Sequence, residues 1–288
     1  MMLFARISIA VLLASLFSVA HAAGLTIEIT KGAQTAVPIA IVPFGQGGSI
    51  GNVKLSDVVS SDLGGSGFFK TLAEEDMLTK PTEAQKINFK DWQVLGQDYM
   101  VIGQVIGNGN QFNIEFQLFN VNNGGLLMGY RFTAGANELR RAAHHISDLI
   151  YEKLTGRKGS FNTRIAYVTN AVRSQGRQYL LQVADADGFN PRTIAESPEP
   201  IMAPAWSPDG SKIAYVSFHT KRSEIYVQTL ATGQRESVSA YPGINGAPAF
   251  SPDGSRLAIT LSKDGSPDVY VLNLSNRGLT RLTSGMSI

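Results

Sequence analysis

The stretch APAWSPDGSKIAYV, Ala203–Val216, returns as APAFSPDGSRLAIT, Ala247–Thr260, so the chain repeats itself with a period of 44 residues. A period of this length belongs to units that bury their apolar faces only against neighbouring copies, which restricts the chain to a stack or a ring. Inside one unit, Pro204–Trp206, Lys212–Phe218, Ile225–Leu230 and Arg235–Ala240 read as four short strands. Ser207-Pro-Asp-Gly210 has the residue order of a type I turn, with proline where φ must lie near −65° and glycine where it must be positive. Ala231-Thr-Gly-Gln234 supplies another turn. Four antiparallel strands in 44 residues match one blade of a β-propeller. Trp206 and Phe250 occupy equivalent positions and are expected to wedge between blades.

The preceding unit is incomplete. Arg164-Ile-Ala-Tyr-Val168 matches the second strand, Lys212-Ile-Ala-Tyr-Val216, yet no APAWSPDG precedes it. The first blade is therefore expected to lack its first strand, which a ring would supply from its far end. About three blades fit between Arg164 and Ile288, fewer than the roughly 4–8 of a closed propeller. The chain reads as a C-terminally truncated piece of a longer protein.

Residues 23–156 obey a different grammar and are expected to form an α/β domain, joined to residues 164–288 by a polar linker at 157–163. Leu25–Ile29 alternates as a half-buried strand, Ile39–Val42 is an apolar run ended by Pro43, and Tyr99–Ile106 reads as a strand. Phe112, Ile114, Phe116 and Leu118 alternate with polar residues, and Asn122–Gly125 turns into a strand over Leu126–Thr133. Leu55, Val58, Val59 and Leu63 share one helical face ahead of Gly64-Gly65. Leu139, Ala142, Ala143, Ile146, Leu149, Ile150 and Leu154 stripe a long helix that Gly156 is placed to cap. The pattern predicts at least two helices on a mostly antiparallel sheet.

Residues 1–22 carry Arg6, an apolar run from Ile7 to Ala20, and Ala20-His21-Ala22, the small-x-small form of a secretory leader. Cleavage after Ala22 would start the mature chain at Ala23 and place it outside the cytoplasm. No other stretch is long and apolar enough to span a bilayer. The chain has no cysteine, so its stability there would rest on core size rather than disulfides. Its formal charge of +2, or +1 without Arg6, points away from a nucleic-acid partner.

Catalytic and metal motifs are not compelling, and neither a cofactor nor a metal is expected. Gly45-Gln-Gly-Gly-Ser-Ile-Gly51 lacks both the G-x-G-x-x-G spacing and a phosphate-loop lysine, so it reads as a plain strand-to-helix connection. Asp185-Ala-Asp-Gly188 has its glycine at the wrong position for a calcium loop and reads as a turn between strands. His144 and His145 point about 100° apart on a helix. They make a poor metal pair and read as solvated. His219, beside Lys221 and Arg222, has no evident partner. Gly64-Gly-Ser-Gly67 is not a G-x-S-x-G elbow.

The two SPDG repeats, together with PIAIVPF, DLGGSGFF and YMVIGQV in the first half, resemble the TolB family, a soluble periplasmic component of the Tol-Pal system. The resemblance extends over nearly the whole chain. It implies an α/β domain followed by a six-bladed propeller with no enzymatic activity. It also implies a bridge between the inner-membrane protein TolA and the outer-membrane lipoprotein Pal, with contacts to other outer-membrane proteins, serving outer-membrane integrity and constriction at division. By the same resemblance the TolA-binding segment is Ala23, Gly24, Leu25, Thr26, Ile27, Glu28, Ile29, Thr30, Lys31 and Gly32. An alternating extended segment is suited to adding to the edge of a partner's sheet, or to pairing within its own domain. The Pal site would lie on one propeller face. Strand alternation puts the loops between blades on the same face as the loops joining second to third strands, which singles out Met202, Ala203, Ile244, Asn245, Gly246 and Ala247. SPDG repeats also occur in the propellers of secreted serine peptidases. A peptidase whose catalytic domain lies beyond Ile288 is therefore the alternative, and the residues that follow would decide.

Overall fold

The computed structural model describes residues 36–47, 53–108, 110–173 and 176–284. The expected leader, residues 1–22, and the expected TolA-like segment, Ala23–Gly32, lie outside them. The first layer is a mixed sheet of β1 (Val37–Ile41), β2 (Gly45–Gly47), β3 (Phe69–Thr71), β4 (Tyr99–Asn108), β5 (Gln111–Asn120) and β6 (Leu126–Gly135). The order is β3-β1-β4-β5-β6, with β2 also paired to β4. β1 runs parallel to β3 and β4, and β2 parallel to β4, while β4-β5 and β5-β6 are antiparallel. The expectation of a mostly antiparallel sheet holds for the long strands β4–β6 and is corrected at β1, β2 and β3, whose pairings are parallel. The unbroken apolar run Ile39–Val42 covers the end of a parallel strand, β1, and the residue after it, buried on both faces.

Those two faces are physically separate. Ile39 and Ile41 point into a cluster with Val101, Val105, Ile114 and Phe116, under α1 (Leu55–Gly65) and α3 (Leu139–Thr155). Ala40 and Val42 point into a second cluster with Met100, Ile102 and Trp92, the last carried by the short α2 (Phe89–Val94). The alternation of β5 holds: Phe112, Ile114, Phe116 and Leu118 are buried, and Glu115 on the wet face pairs with Arg131 of β6. α3 ends as expected, with Gly156 at φ 71° donating its N–H to the Glu152 carbonyl. The Gly45 segment is corrected in part: Gly45–Gly47 forms β2 against β4 rather than a plain connection. The segment 157–163 is fastened to α3, where the Asp148 carboxylate accepts the N–H of Phe161 at 2.8 Å and of Asn162 at 3.2 Å.

From β7 (Arg164–Arg173) onward every described element is a strand. β7, β8 (Gly176–Asp185) and β9 (Arg192–Ser197) form a three-stranded sheet. β10 (Ile201–Trp206), β11 (Lys212–Ser217), β12 (Glu224–Thr229) and β13 (Arg235–Ser239) form the next, with four strands. β14 (Asn245–Phe250), β15 (Arg256–Leu261), β16 (Asp268–Asn273) and β17 (Leu279–Arg281) form the last, also with four. Among the described residues the first blade has no equivalent of β10 or β14, as its sequence implied. Successive blades share apolar clusters. Leu181 and Val183 pack with Ile213 and Tyr215 between the first two, with Trp206 against them. Ala214, Val216 and Ile225 pack with Leu257, Ile259 and Tyr270 between the second and third, with Phe250 against them. The blades are an incomplete propeller with no closed ring among the described residues. No helix among those residues is long and apolar enough to cross a membrane.

Candidate partner-binding face

The propeller has two unlike faces. On one, the SPDG turns close as expected: the Gly210 N–H reaches the Ser207 carbonyl at 2.9 Å, and Gly210 and Gly254 sit at φ 67° and 71°. Ser207 Oγ donates to Asp209 at 2.6 Å and Ser211 Oγ at 2.7 Å, holding that carboxyl down at about 2; Asp253 is held at about 2 by Ser251 and Ser255. Arg164 of the first blade caps this turn. Its guanidinium donates to the Gly210 carbonyl at 2.8 Å and lies 4.9 Å over the Trp206 ring.

The other face gathers the loops between blades and those joining second to third strands. The Phe218 N–H donates to the Pro200 carbonyl, Lys221 pairs with Glu199, and Ser223 Oγ accepts the Asn245 N–H at 2.9 Å. Ala203 and Ala247 stand here at φ 49° and 47°, the left-handed region that an L-residue with a Cβ resists. Each lies in a register break against the neighbouring strand, between Met202 and Ala205 and between Gly246 and Ala249. The same unusual backbone recurs at equivalent positions of two repeats, and Met202, 53% exposed, and Ile244, 50% exposed, lie on the same loops.

Asn245 differs from its neighbours. It is 1% exposed, and its Oδ1 accepts from Ser239 Oγ at 2.7 Å and from the Tyr241 N–H at 3.0 Å. Its Nδ2 donates to the Tyr241 carbonyl at 2.7 Å. The side chain therefore shapes the loop from within, and the surface it supports is that of Ile244, half-buried Gly246 and exposed Ala247. His219 on this face does have a partner, correcting the sequence expectation. Its ring lies edge-on 5.2 Å from Tyr226, with Nε2 3.3 Å from the Tyr226 hydroxyl. That hydroxyl donates to buried Glu224 at 2.7 Å, and burial followed by this carboxylate pushes the tyrosine up to about 12.

A second polar cluster lies where α1 and α3 meet the turn after β8. His144, expected to be solvated, is 2% exposed and donates from Nδ1 to Asp62 Oδ2 at 2.8 Å; His145 alone faces solvent, edge-on to Phe132. Ser147 Oγ donates to the same carboxylate oxygen at 2.7 Å. Asp187, expected as a simple turn residue, pairs with Arg140 of α3. Asp62, His144 and Asp187 offer ligand atoms within 4.8 Å of one another, the one grouping of this kind among the described residues. Asp62 and His144 are 82 residues apart, so no local pattern announces the pair.

Comparison with known proteins matches both halves. Residues 25–127 match the TolB amino-terminal domain and residues 151–288 the TolB beta propeller domain. The Tol-Pal system protein TolB of Methylococcus capsulatus is 54% identical over 224 residues, which is 78% of this chain and 53% of that protein. That of Nitrosococcus oceani is 52% identical over 223 residues, 77% of this chain and 51% of the relative. The crystal structure of TolB from Acinetobacter baumannii superposes with a TM-score of 0.77 at 41% identity, covering 90% of this chain and 64% of that one. The chain thus spans about half the length of the curated relatives it matches. With the amino-terminal module and the propeller repeats matched in the same order, the chain belongs to the TolB family.

Proposed function

We propose that this chain is part of a non-enzymatic periplasmic scaffold of the Tol-Pal system. Its blade-connecting loops form a docking face for Pal, and its mature N-terminal segment is a docking strand for TolA. In this reading residues 23–156 are the TolA-side domain, 157–163 the connection and 164–288 the Pal-side propeller. The bridge supports outer-membrane integrity and constriction at division. The observation that carries the Pal face is the matched pair of left-handed alanines, Ala203 and Ala247. Backbone held in a sparsely populated region at two equivalent loops, beside exposed Met202 and Ile244, is a conformation the surrounding structure maintains at a cost, and such strain gathers at binding sites. The match to an amino-terminal TolB module favours this scaffold over a peptidase propeller.

The test uses the full-length protein and two purified partners. Ala247→Arg puts a long charged side chain on the loop surface and is expected to weaken Pal binding by about 2–4 kcal/mol, leaving TolA binding intact. Deleting Ala23–Gly32 is expected to do the reverse. Unchanged Pal affinity in Ala247→Arg would move the site to the SPDG face, and unchanged TolA affinity in the deletion would reject the docking strand.

A further inference from the structure

The cluster around His144 holds more negative than positive charge at the junction of two architectures. Asp62 faces it from α1 and Asp187 from the turn after β8, while Asp185, at the end of β8, lies beside Arg140. Among the described residues, Arg140, one turn earlier on α3, is the only guanidinium there. It pairs with Asp187, approaches Asp185 at 4.0 Å and lies 4.0 Å over the Phe189 ring. Arg141 and His145 of the same helix are exposed instead. Three carboxylates against one guanidinium leave room for one more cation.

The imidazole is positioned to be that cation. Asp62 fixes Nδ1 as a donor, so in neutral His144 the Nε2 lone pair points towards Asp187 Oδ2 at 3.8 Å, two acceptors opposed. Nε2 is buried and has no hydrogen-bond partner. One proton turns this opposition into a pair and completes a chain from Asp62 on α1, through the ring, to Asp187 in the first blade. A divalent ion is disfavoured, because the Arg140 guanidinium already occupies the Asp187 carboxylate.

We propose that His144 is a proton-operated latch between the α/β layer and the first blade: protonated, it bridges Asp62 and Asp187; neutral, it leaves Arg140 as the charged tie from α3 to the β8–β9 turn. Burial pushes the imidazole down, but the Asp62 hydrogen bond and the Asp62 and Asp187 charges outweigh it and, against Arg140, hold it above the ordinary 6.5. A raised folded-state value means the contribution is fully present below 6.5 and is lost as pH rises through that raised value. The latch therefore closes in acid and opens towards alkaline pH, giving the junction a means of responding to the pH of its compartment.

The experiment is an NMR titration of the His144 ring in the full chain, paired with hydrogen exchange at Ala186–Phe189 corrected for the intrinsic pH effect. Asp187→Asn, at an exposed position, is expected to lower the proton affinity of His144 by about threefold or more, half a pKa unit. Protection of the turn is expected to fall severalfold with rising pH in the wild type, and to be pH-independent in His144→Gln. An unchanged His144 midpoint in Asp187→Asn, or a pH-independent turn in the wild type, would overturn the latch. If His144→Gln does not fold, the Asp187→Asn midpoint and the wild-type turn decide the question alone.

Discussion

Replacing Asn245 by alanine tests whether the shape of the candidate docking face is set from inside its loop. The wild-type amide makes three short hydrogen bonds within the loop: from Ser239 Oγ, from the Tyr241 N–H and to the Tyr241 carbonyl. Each such bond contributes roughly 0.5–1.5 kcal/mol net. Tyr241 is half-buried, so water can recover part of what its backbone loses. The expected loss is about 2–3 kcal/mol, near the middle of the summed range. With urea m-values of about 1–3 kcal/mol per M, the midpoint should fall by roughly 0.7–3 M. The emission of Trp206, packed between the first two blades, is one readout of that transition. Asn245→Asp retains the acceptor but loses the Tyr241-carbonyl donor and buries a charge, so it should be at least as damaging and should improve in acid. A loss below about 0.5 kcal/mol in the alanine variant would mean that the backbone alone holds the loop, and would refute the assignment of Asn245 as its internal brace.

Two further outcomes are expected. Ala203→Gly combined with Ala247→Gly relieves about 1–2 kcal/mol of left-handed strain per site and gives back about 0.4–1 kcal/mol in unfolded-state entropy, so the double variant should be as stable as the wild type or more so; a loss above 1 kcal/mol in a urea melt would reject the strain. Asp209 and Asp253 should titrate at about 2 by carboxyl NMR, and Ser211→Ala or Ser255→Ala should move them back towards 3.8. Because these values are depressed on folding, their contribution is present above 3.8 and lost as pH falls through about 2. Wild-type titration at 3.8 would show that the turn hydrogen bonds do not persist in solution.

The features legible in the sequence are those encoded over short distances. The SPDG turn depends on four adjacent residues, the Gly156 cap on one, the alternation of β5 on a two-residue period, and the blade count on the repeat itself. Even the missing first strand of the first blade could be read, since its absence is visible against the next copy. The loops carrying Met202, Ala203, Ile244 and Ala247 could be assigned to one face because up-and-down strands leave no alternative.

What only the tertiary structure decided depends on partners far apart in the chain. The parallel pairing of β1 with β3 and β4 follows from which helices cover the sheet, and the run Ile39–Val42 is equally apolar in either pairing. His144 has the same identity and helical setting as a solvated histidine. It becomes a buried donor because α1 brings Asp62 to it across 82 residues, and the first blade brings Asp187 to Arg140 across 47. Asn245 looks like a surface loop residue until the loop closes around its amide. Local propensity and periodicity act within a turn or two of chain, whereas burial and the charge around a titratable group are set by whatever the fold packs against them.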